Sequence, residues 1–261
     1  MRVLYERCAA VDVGKDEIAV AVRLPGNVAG ERQTVKRTFR TFYGVLAQAA
    51  RWLTEQDVTH VAMECTGVYS MPVYHALVEH GDFEQVLMCN AGHVRNVPGR
   101  KTDLCDAEWL VNLLECGLLR GSFIPPAEIK AARDVLRYRV KLVQSRTSEM
   151  SRLGNVLQDA GIKIDSVASS LATKSARAMV DALVDGERRP GVLADLAKGK
   201  MRNKIPDLGQ ALEGRFDSHH ALMCRLHLEH LDQLDAMITK LDAQIEQMMG
   251  APLPPPGQPL P

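Results

Sequence analysis

Residues 8–24 read CAAVDVGKDEIAVAVRL, and this stretch decides the fold class. A short apolar run ends at Val13, and polar turn residues follow it. A second run, EIAVAVRL, then alternates in the way of a strand with two unlike faces. Two such runs separated by a tight turn predict an antiparallel β-hairpin at the start of the chain.

The residues that follow alternate between strand-like and helix-like patterns. Three further strands are predicted by QTVKRTFR (33–40), HVAMEC (60–65) and FEQVLMCN (83–90). Helical spacing of apolar residues predicts helices in FYGVLAQAARWLTEQ (42–56), SMPVYHALVEHG (70–81) and DLCDAEWLVNLLECG (103–117). Hairpin-joined strands followed by helical crossovers are the order of an RNase H-like sheet. We therefore predict an α/β fold, with an RNase H-like (RuvC-like) mixed sheet and flanking helices over residues 1–126.

Three regions are predicted after this domain. Residues 127–218 are mostly helical and basic, interrupted by Gly and Pro, and read as a linker region. Residues 219–249 form one helix with apolar residues at alternating spacings of three and four, the pattern of a coiled coil that would join copies into a homo-oligomer. The remaining residues, 250–261, are rich in proline and predict a disordered tail.

Bulk composition favours a cytoplasmic protein. Its 261 residues include six scattered cysteines without a C-x-x-C pair, which suits free thiols in a reducing compartment. The sequence shows neither a signal peptide nor an apolar stretch long enough for a membrane span. The net charge is zero, but residues 129–158 carry seven basic side chains against two acidic ones. That segment is the candidate nucleic-acid surface, and a merely solvated helix face is the alternative.

Four acidic residues stand where elements of the predicted domain end or begin. Asp12 lies at the end of the first strand and Glu64 at the end of the fourth, while Asp103 and Asp106 open the last helix. Open α/β sheets keep their sites at the carboxyl edge, so these carboxylates are expected to converge. Oxygen ligands without His or Cys suit Mg²⁺ or Mn²⁺. Taken singly, each residue has a structural alternative as a turn former or a helix cap.

The segments VDVGKDEIAVAV (11–22), MECTGVY (63–69) and GRKTDLCDAEWLVNLL (99–114) closely resemble the acidic motifs of the DEDD insertion-sequence transposases. These are bridge-RNA-guided, serine-assisted recombinases with a RuvC-like N-terminal domain. The resemblance implies that Asp12, Glu64, Asp103 and Asp106 are the catalytic metal ligands. It also implies that Arg100 and Lys101, just before the third motif, lie near nucleic-acid phosphates.

The resemblance also implies partners and an incomplete enzyme. DNA and a structured guide RNA are the expected ligands, contacted by bases of the helical region, which are Lys130, Arg133, Arg137, Arg139, Lys141 and Arg146. Members of the family continue into a second domain that carries a nucleophilic serine, whereas this sequence ends in prolines. We therefore expect binding without strand cleavage. The alternatives are a non-catalytic, dimerising fragment of such a transposase and a stand-alone RuvC-like junction nuclease.

Overall fold

The computed structural model describes residues 2–28, 30–65, 67–90, 92, 94 and 106–250. The chain divides into two compact units between Ile124 and Pro125. Within the described ranges, no helix combines the length and the apolar character needed to cross a membrane. Of the proline-rich tail predicted at 250–261, residues 251–261 lie outside the described residues, as do the predicted site residues Arg100, Lys101 and Asp103.

The first unit is built on a five-stranded sheet. Its strands are β1 (Cys8–Val13), β2 (Glu17–Pro25), β3 (Arg32–Arg40), β4 (His60–Cys65) and β5 (Gln85–Asn90). They lie in the order β3-β2-β1-β4-β5. The pairs β1–β2 and β2–β3 are antiparallel, whereas β1–β4 and β4–β5 are parallel. This is the RNase H-like arrangement, so the predicted fold class is confirmed.

Helices cover both faces of the sheet. The α-helices that cover the sheet are α1 (Tyr43–Glu55), α2 (Ser70–His80) and α3 (Asp106–Glu115), and a short 3-10 helix, Gly67–Tyr69, precedes α2. Val11 and Met63 point to the face packed by α1 and α2, in one buried cluster with Leu46 and Val73. The opposite face is packed by α3. Its strand residues Cys8, Ala10, Ala21 and Ala62 have small side chains, which lets the helix come close.

Buried Glu115 sets the direction of α3 across the sheet. Its carboxylate accepts hydrogen bonds from Nε of Arg23, at 3.2 Å, and from Nε of Arg32. Its main-chain oxygen accepts from the nitrogen of Leu4, at 2.8 Å, just before β1. Arg23 lies opposite Cys8, the first residue of β1. The last turn of α3 is therefore held beside the start of β1, and its first turn lies toward the carboxyl end of that strand.

The second unit is helical and is organised by two long antiparallel helices. In chain order its helices are α4 (Ala127–Asp159), α5 (Ile164–Val167), α6 (Lys174–Val184), α7 (Pro190–Ala194), α8 (Ile205–Ala211) and α9 (Ser218–Gly250). Contacts between α4 and α9 run in reverse order along the chain: Arg139 bonds to Asp242, Arg146 to Asp235 and Glu149 to His227. This order fixes the antiparallel direction.

One core joins the long helices to the short helices between them. Leu153 and Leu157 of α4, Met179 of α6, and Cys224 and Leu231 of α9 are all buried in it. The regions that the sequence divided at residue 218 therefore share a single core. The apolar seam of α9, which comprises Leu231, Leu234, Ile238, Leu241, Ile245 and Met248, is buried at its first two members and half-buried at the other four. In this structure α9 packs against α4 of its own chain.

Candidate functional site

The strand register brings Asp12 and Glu64 to the same edge of the sheet. Parallel strands β1 and β4 pair from Cys8 with His60 to Val11 with Met63, so Asp12 and Glu64 follow at the next step of the two strands. Neighbouring strands lie about 4.8 Å apart. Both residues are half-buried. Asp12 and Glu64 therefore lie side by side at the carboxyl edge of the central strands.

Asp106 lies on the helix that packs against this face of the sheet. Asp12 and Glu64 have the strand parity of Ala10 and Ala62, which face α3. Asp106 is the first residue of α3 and is exposed. Because Glu115 holds the other end of α3 beside the start of β1, Asp106 lies toward the end of β1 where Asp12 stands.

The backbone beneath Glu64 is held by a buried hydroxyl. Ser70, the first residue of α2, donates its hydroxyl to the main-chain oxygen of Glu64 at 3.4 Å. Glu64 also pairs with Cys89 on β5. Burial, followed by the negative charge of Glu64, raises the pKa of the Cys89 thiol to about 11. Cys89 is therefore an uncharged neighbour that leaves the edge to oxygen ligands.

The donor set at this edge suits a hard divalent cation, since it consists of carboxylates. Among the residues that the structure describes, no group of three or more His, Cys, Asp and Glu side chains is arranged to hold a metal. The fourth predicted ligand, Asp103, is outside that set. Asp12 and Glu64 are therefore neighbours across β1 and β4, but these two residues and Asp106, all three of them described, do not form such a group.

The basic residues of α4 that were predicted to contact nucleic acid fall into two groups. Arg133, Arg137 and Lys141 are exposed and recur every four residues, which places them in one stripe along the helix. Lys130 continues this stripe and pairs with Asp134 at 2.9 Å. That hydrogen bond, opposed by slight desolvation and aided by the charges of Arg137 and Arg133, lowers the pKa of Asp134. The stripe therefore carries a positive potential.

Arg139 and Arg146 form the second group, and both are bound by α9. Nη2 of Arg139 donates to Oδ2 of Asp242 at 3.3 Å, and Nη2 of Arg146 donates to Oδ2 of Asp235 at 3.1 Å. In each pair Nε donates to the second carboxylate oxygen, so the contacts are bidentate. These two arginines join the long helices, and an incoming phosphate would compete with a carboxylate for them.

Glu149 is the most buried charge between the long helices. Its side chain is 5% exposed, and it accepts hydrogen bonds from Nδ1 of His227 at 2.6 Å and from Nη1 of Arg152 at 2.6 Å. His230 lies 3.2 Å from the same carboxylate. Burial raises the pKa of Glu149, but the bonds from His227, Arg152 and His230 outweigh it and lower the pKa to about 2. His227 and His230 thus pair with Glu149, while Cys224 on the same helix is buried in the core.

We expect Glu149 to make the free energy of unfolding depend on pH in the acid range. A depressed pKa stabilises the fold above the ordinary value of 4.5, and this contribution is lost as pH falls from 4.5 through about 2. At neutral pH it amounts to on the order of 3 kcal/mol. Glu149→Gln should therefore be less stable than wild type at pH 7 and show a flatter decline into acid, in urea titrations followed by circular dichroism. The matched control is Glu246→Gln, at an exposed position of α9. Parallel acid curves for wild type and Glu149→Gln would contradict this assignment.

Two residues of the candidate surfaces were missed from the sequence. Ser70 supports Glu64 from six residues away, and its burial at the start of a helix has no local sequence signal. Tyr138 is 49% exposed beside Arg137 on α4. An aromatic residue among arginines and lysines is the sequence signal for a side chain on which a nucleobase can stack.

Comparison with known proteins identifies the family. No curated protein sequence matches the chain. A structure of Thermus thermophilus RuvC is similar to it at 16% identity and a TM-score of 0.30, covering 46% of this chain and 85% of the RuvC chain. The family profile of DEDD transposases of the IS110 type matches residues 9–162, which is more than half of the sequence and spans all three acidic motifs. The chain therefore belongs to the DEDD transposase family.

Proposed function

We propose that this chain is a recombinase subunit of an insertion sequence, which binds DNA and holds a divalent cation at its acidic edge. Asp12, Glu64, Asp103 and Asp106 are the proposed ligands and catalytic residues. The observation that carries the proposal is the parallel register of β1 and β4, which sets Asp12 and Glu64 side by side. It is supported by the direction of α3, whose last turn lies beside the start of β1, so that the end carrying Asp106 lies toward the carboxyl end of that strand.

The proposed cation is Mg²⁺ or Mn²⁺. When bound, such an ion supplies Lewis acidity to a phosphodiester, activating the attacking oxygen and stabilising the leaving one. The chain's own residues position the ligands: the sheet spaces Asp12 from Glu64, and Ser70 holds the main chain of Glu64 at the point where β4 ends. Rigid elements of this kind keep catalytic carboxylates within the tolerance that such chemistry needs.

The exposed stripe of α4 is the proposed contact to the nucleic-acid backbone. Arg133 and Lys141 are eight residues apart, so the stripe spans about 12 Å of helix and can follow successive phosphates. Arg100 and Lys101, which precede Asp103 in the sequence, are proposed as further phosphate contacts. A structured guide RNA presents the same phosphates as DNA, and we propose it as the second ligand of this subunit.

Salt dependence of DNA binding tests the stripe. Wild type should bind element-end DNA with an affinity that falls as salt rises. Arg133→Ala, Arg137→Ala and Lys141→Ala combined should reduce the slope of log K against log salt by about 2 to 3, because each phosphate contact contributes roughly 0.9. Gel shifts and fluorescence anisotropy, with and without candidate guide RNA, give these slopes.

The control exploits the pairing between the long helices. Arg139→Ala removes one positive charge from the same helix, but from a residue that Asp242 already binds. It should leave the salt slope within about 0.5 of wild type. An unchanged slope in the triple variant would refute the stripe as an interface. Absence of any DNA binding by wild type would refute the proposed function itself.

A further inference from the structure

A cleft in the second unit is lined by four lysines. Lys174, Lys198, Lys200 and Lys204 surround a cavity of about 460 Å³, together with Ser169, Thr173 and Ser175. We name it the lysine cleft. Its lining includes no Asp or Glu and no aromatic residue. The segment KGKMRNK (198–204) supplies three of these lysines and contains no acid.

The backbone of the lysine cleft is tied in place. The main-chain nitrogen of Lys198 donates to the hydroxyl of Ser175, at 2.8 Å, and Ser175 is buried in the first turn of α6. Nζ of Lys204 donates to the main-chain oxygen of Val167 at 2.8 Å. A 3-10 helix over Gly199–Lys204 joins these two anchors. The cleft is therefore formed by fixed backbone, and its side chains project from a shape that is already built.

The charges of the lysine cleft are not balanced by the fold. Elsewhere in the second unit, Arg139, Arg146 and Arg177 each bind a carboxylate. In the part of the chain that the structure describes, none of the four cleft lysines forms an ion pair with a carboxylate. All four are exposed. Like charges gathered around one cavity repel one another, and a bound anion offsets that repulsion.

We propose that the lysine cleft binds the phosphate backbone of nucleic acid. Lysine is a flexible point charge, and such charges recognise phosphates without reading bases. The absence of an aromatic lining argues against recognition of a base or a free nucleotide, which would use stacking. An open cleft with hydroxyl donors from Ser169 and Thr173 suits a phosphodiester that passes through it. The lysine cleft is separate from the α4 stripe, since no residue of α4 lines it. It rests on the proposed function only in that the chain must bind nucleic acid.

The test removes two charges while keeping the anchors. Lys198→Gln with Lys200→Gln leaves the main-chain bond to Ser175 and the Lys204 bond to Val167 in place. We expect the slope of log K against log salt to fall by about 2, and affinity at moderate salt to weaken by more than about tenfold. Lys198→Arg with Lys200→Arg should restore both. Circular dichroism melting confirms that each variant is folded.

The matched control is Arg225→Gln with Lys240→Gln, two exposed bases on α9. It should change the slope by less than about 0.5. DNA and RNA duplexes of one sequence and length, together with single-stranded DNA, show which backbone occupies the cleft. If the cleft variant behaves like this control on every nucleic acid while the α4 variant loses slope, the cleft is refuted and the proposed function stands. If wild type binds none of the probes, both are refuted.

Discussion

Asp12→Asn combined with Glu64→Gln is expected to weaken Mn²⁺ binding by more than about 100-fold. Loss of groups that merely support metal ligands already costs about 10- to 100-fold, and this variant removes two ligands. The two side chains stand at the same step of neighbouring parallel strands, so one cation can be shared between them. Isothermal titration calorimetry of wild type and variant with Mn²⁺ and with Mg²⁺ measures the difference.

The control for this experiment is Asp82→Asn combined with Glu55→Gln. Both residues are exposed acids of the first unit, and they precede the starts of β5 and β4, away from the carboxyl edge that carries Asp12 and Glu64. The control removes the same formal charge and should keep wild-type affinity. Asp106→Asn alone should give an intermediate loss, because Asp106 is the proposed ligand that α3 rather than the sheet supplies. Equal metal affinity in wild type and in the Asp12, Glu64 variant would sink the site assignment.

The sheet and its acidic pair were predictable because local pattern and topology agree there. Three local patterns leave little freedom in the strand order. They are the alternation in residues 17–24, the apolar runs at 8–13 and 60–65, and the turn between the first two strands. Once β1 and β4 are parallel neighbours, residues at their ends meet. Asp12 and Glu64 follow from that rule, whereas Ser70 does not, because its contact depends on how α2 packs.

The charges of α4 were less predictable because a charge count ignores position. Arg139, Arg146 and Glu149 recur at spacings of seven and three, the positions that face a partner helix. This heptad phase distinguishes them from Arg133 and Arg137. The sequence alone does not indicate that Arg139 and Arg146 face another helix. Their partners Asp242 and Asp235 are roughly ninety to one hundred residues away along the chain. Likewise, a heptad pattern on one helix does not specify which helix packs against it.

The last expected result separates packing within one chain from association between chains. Leu234 is 5% exposed, whereas Leu241 is half-buried. Leu234→Asp places a charge in a closed seam and should lower the free energy of unfolding by about 4 kcal/mol, combining a lost leucine with an unpaired buried carboxylate. Leu241→Asp should cost only about 1 kcal/mol, because water already reaches that position. Urea titrations at neutral pH give both values.

Self-association then depends on the outer half of the seam. Although α9 packs against α4 of the same chain, four seam residues leave part of their apolar side chains exposed to solvent. These residues are Ile238, Leu241, Ile245 and Met248. We propose that a second copy covers this surface, so sedimentation at micromolar concentration should show wild-type dimers and a folded, monomeric Leu241→Asp. The matched control is Gln247→Asp, which introduces the same charge at an exposed position of α9. A monomeric wild type would overturn dimerisation through α9. A Leu234→Asp variant as stable as wild type would overturn the intramolecular packing of α9 on α4.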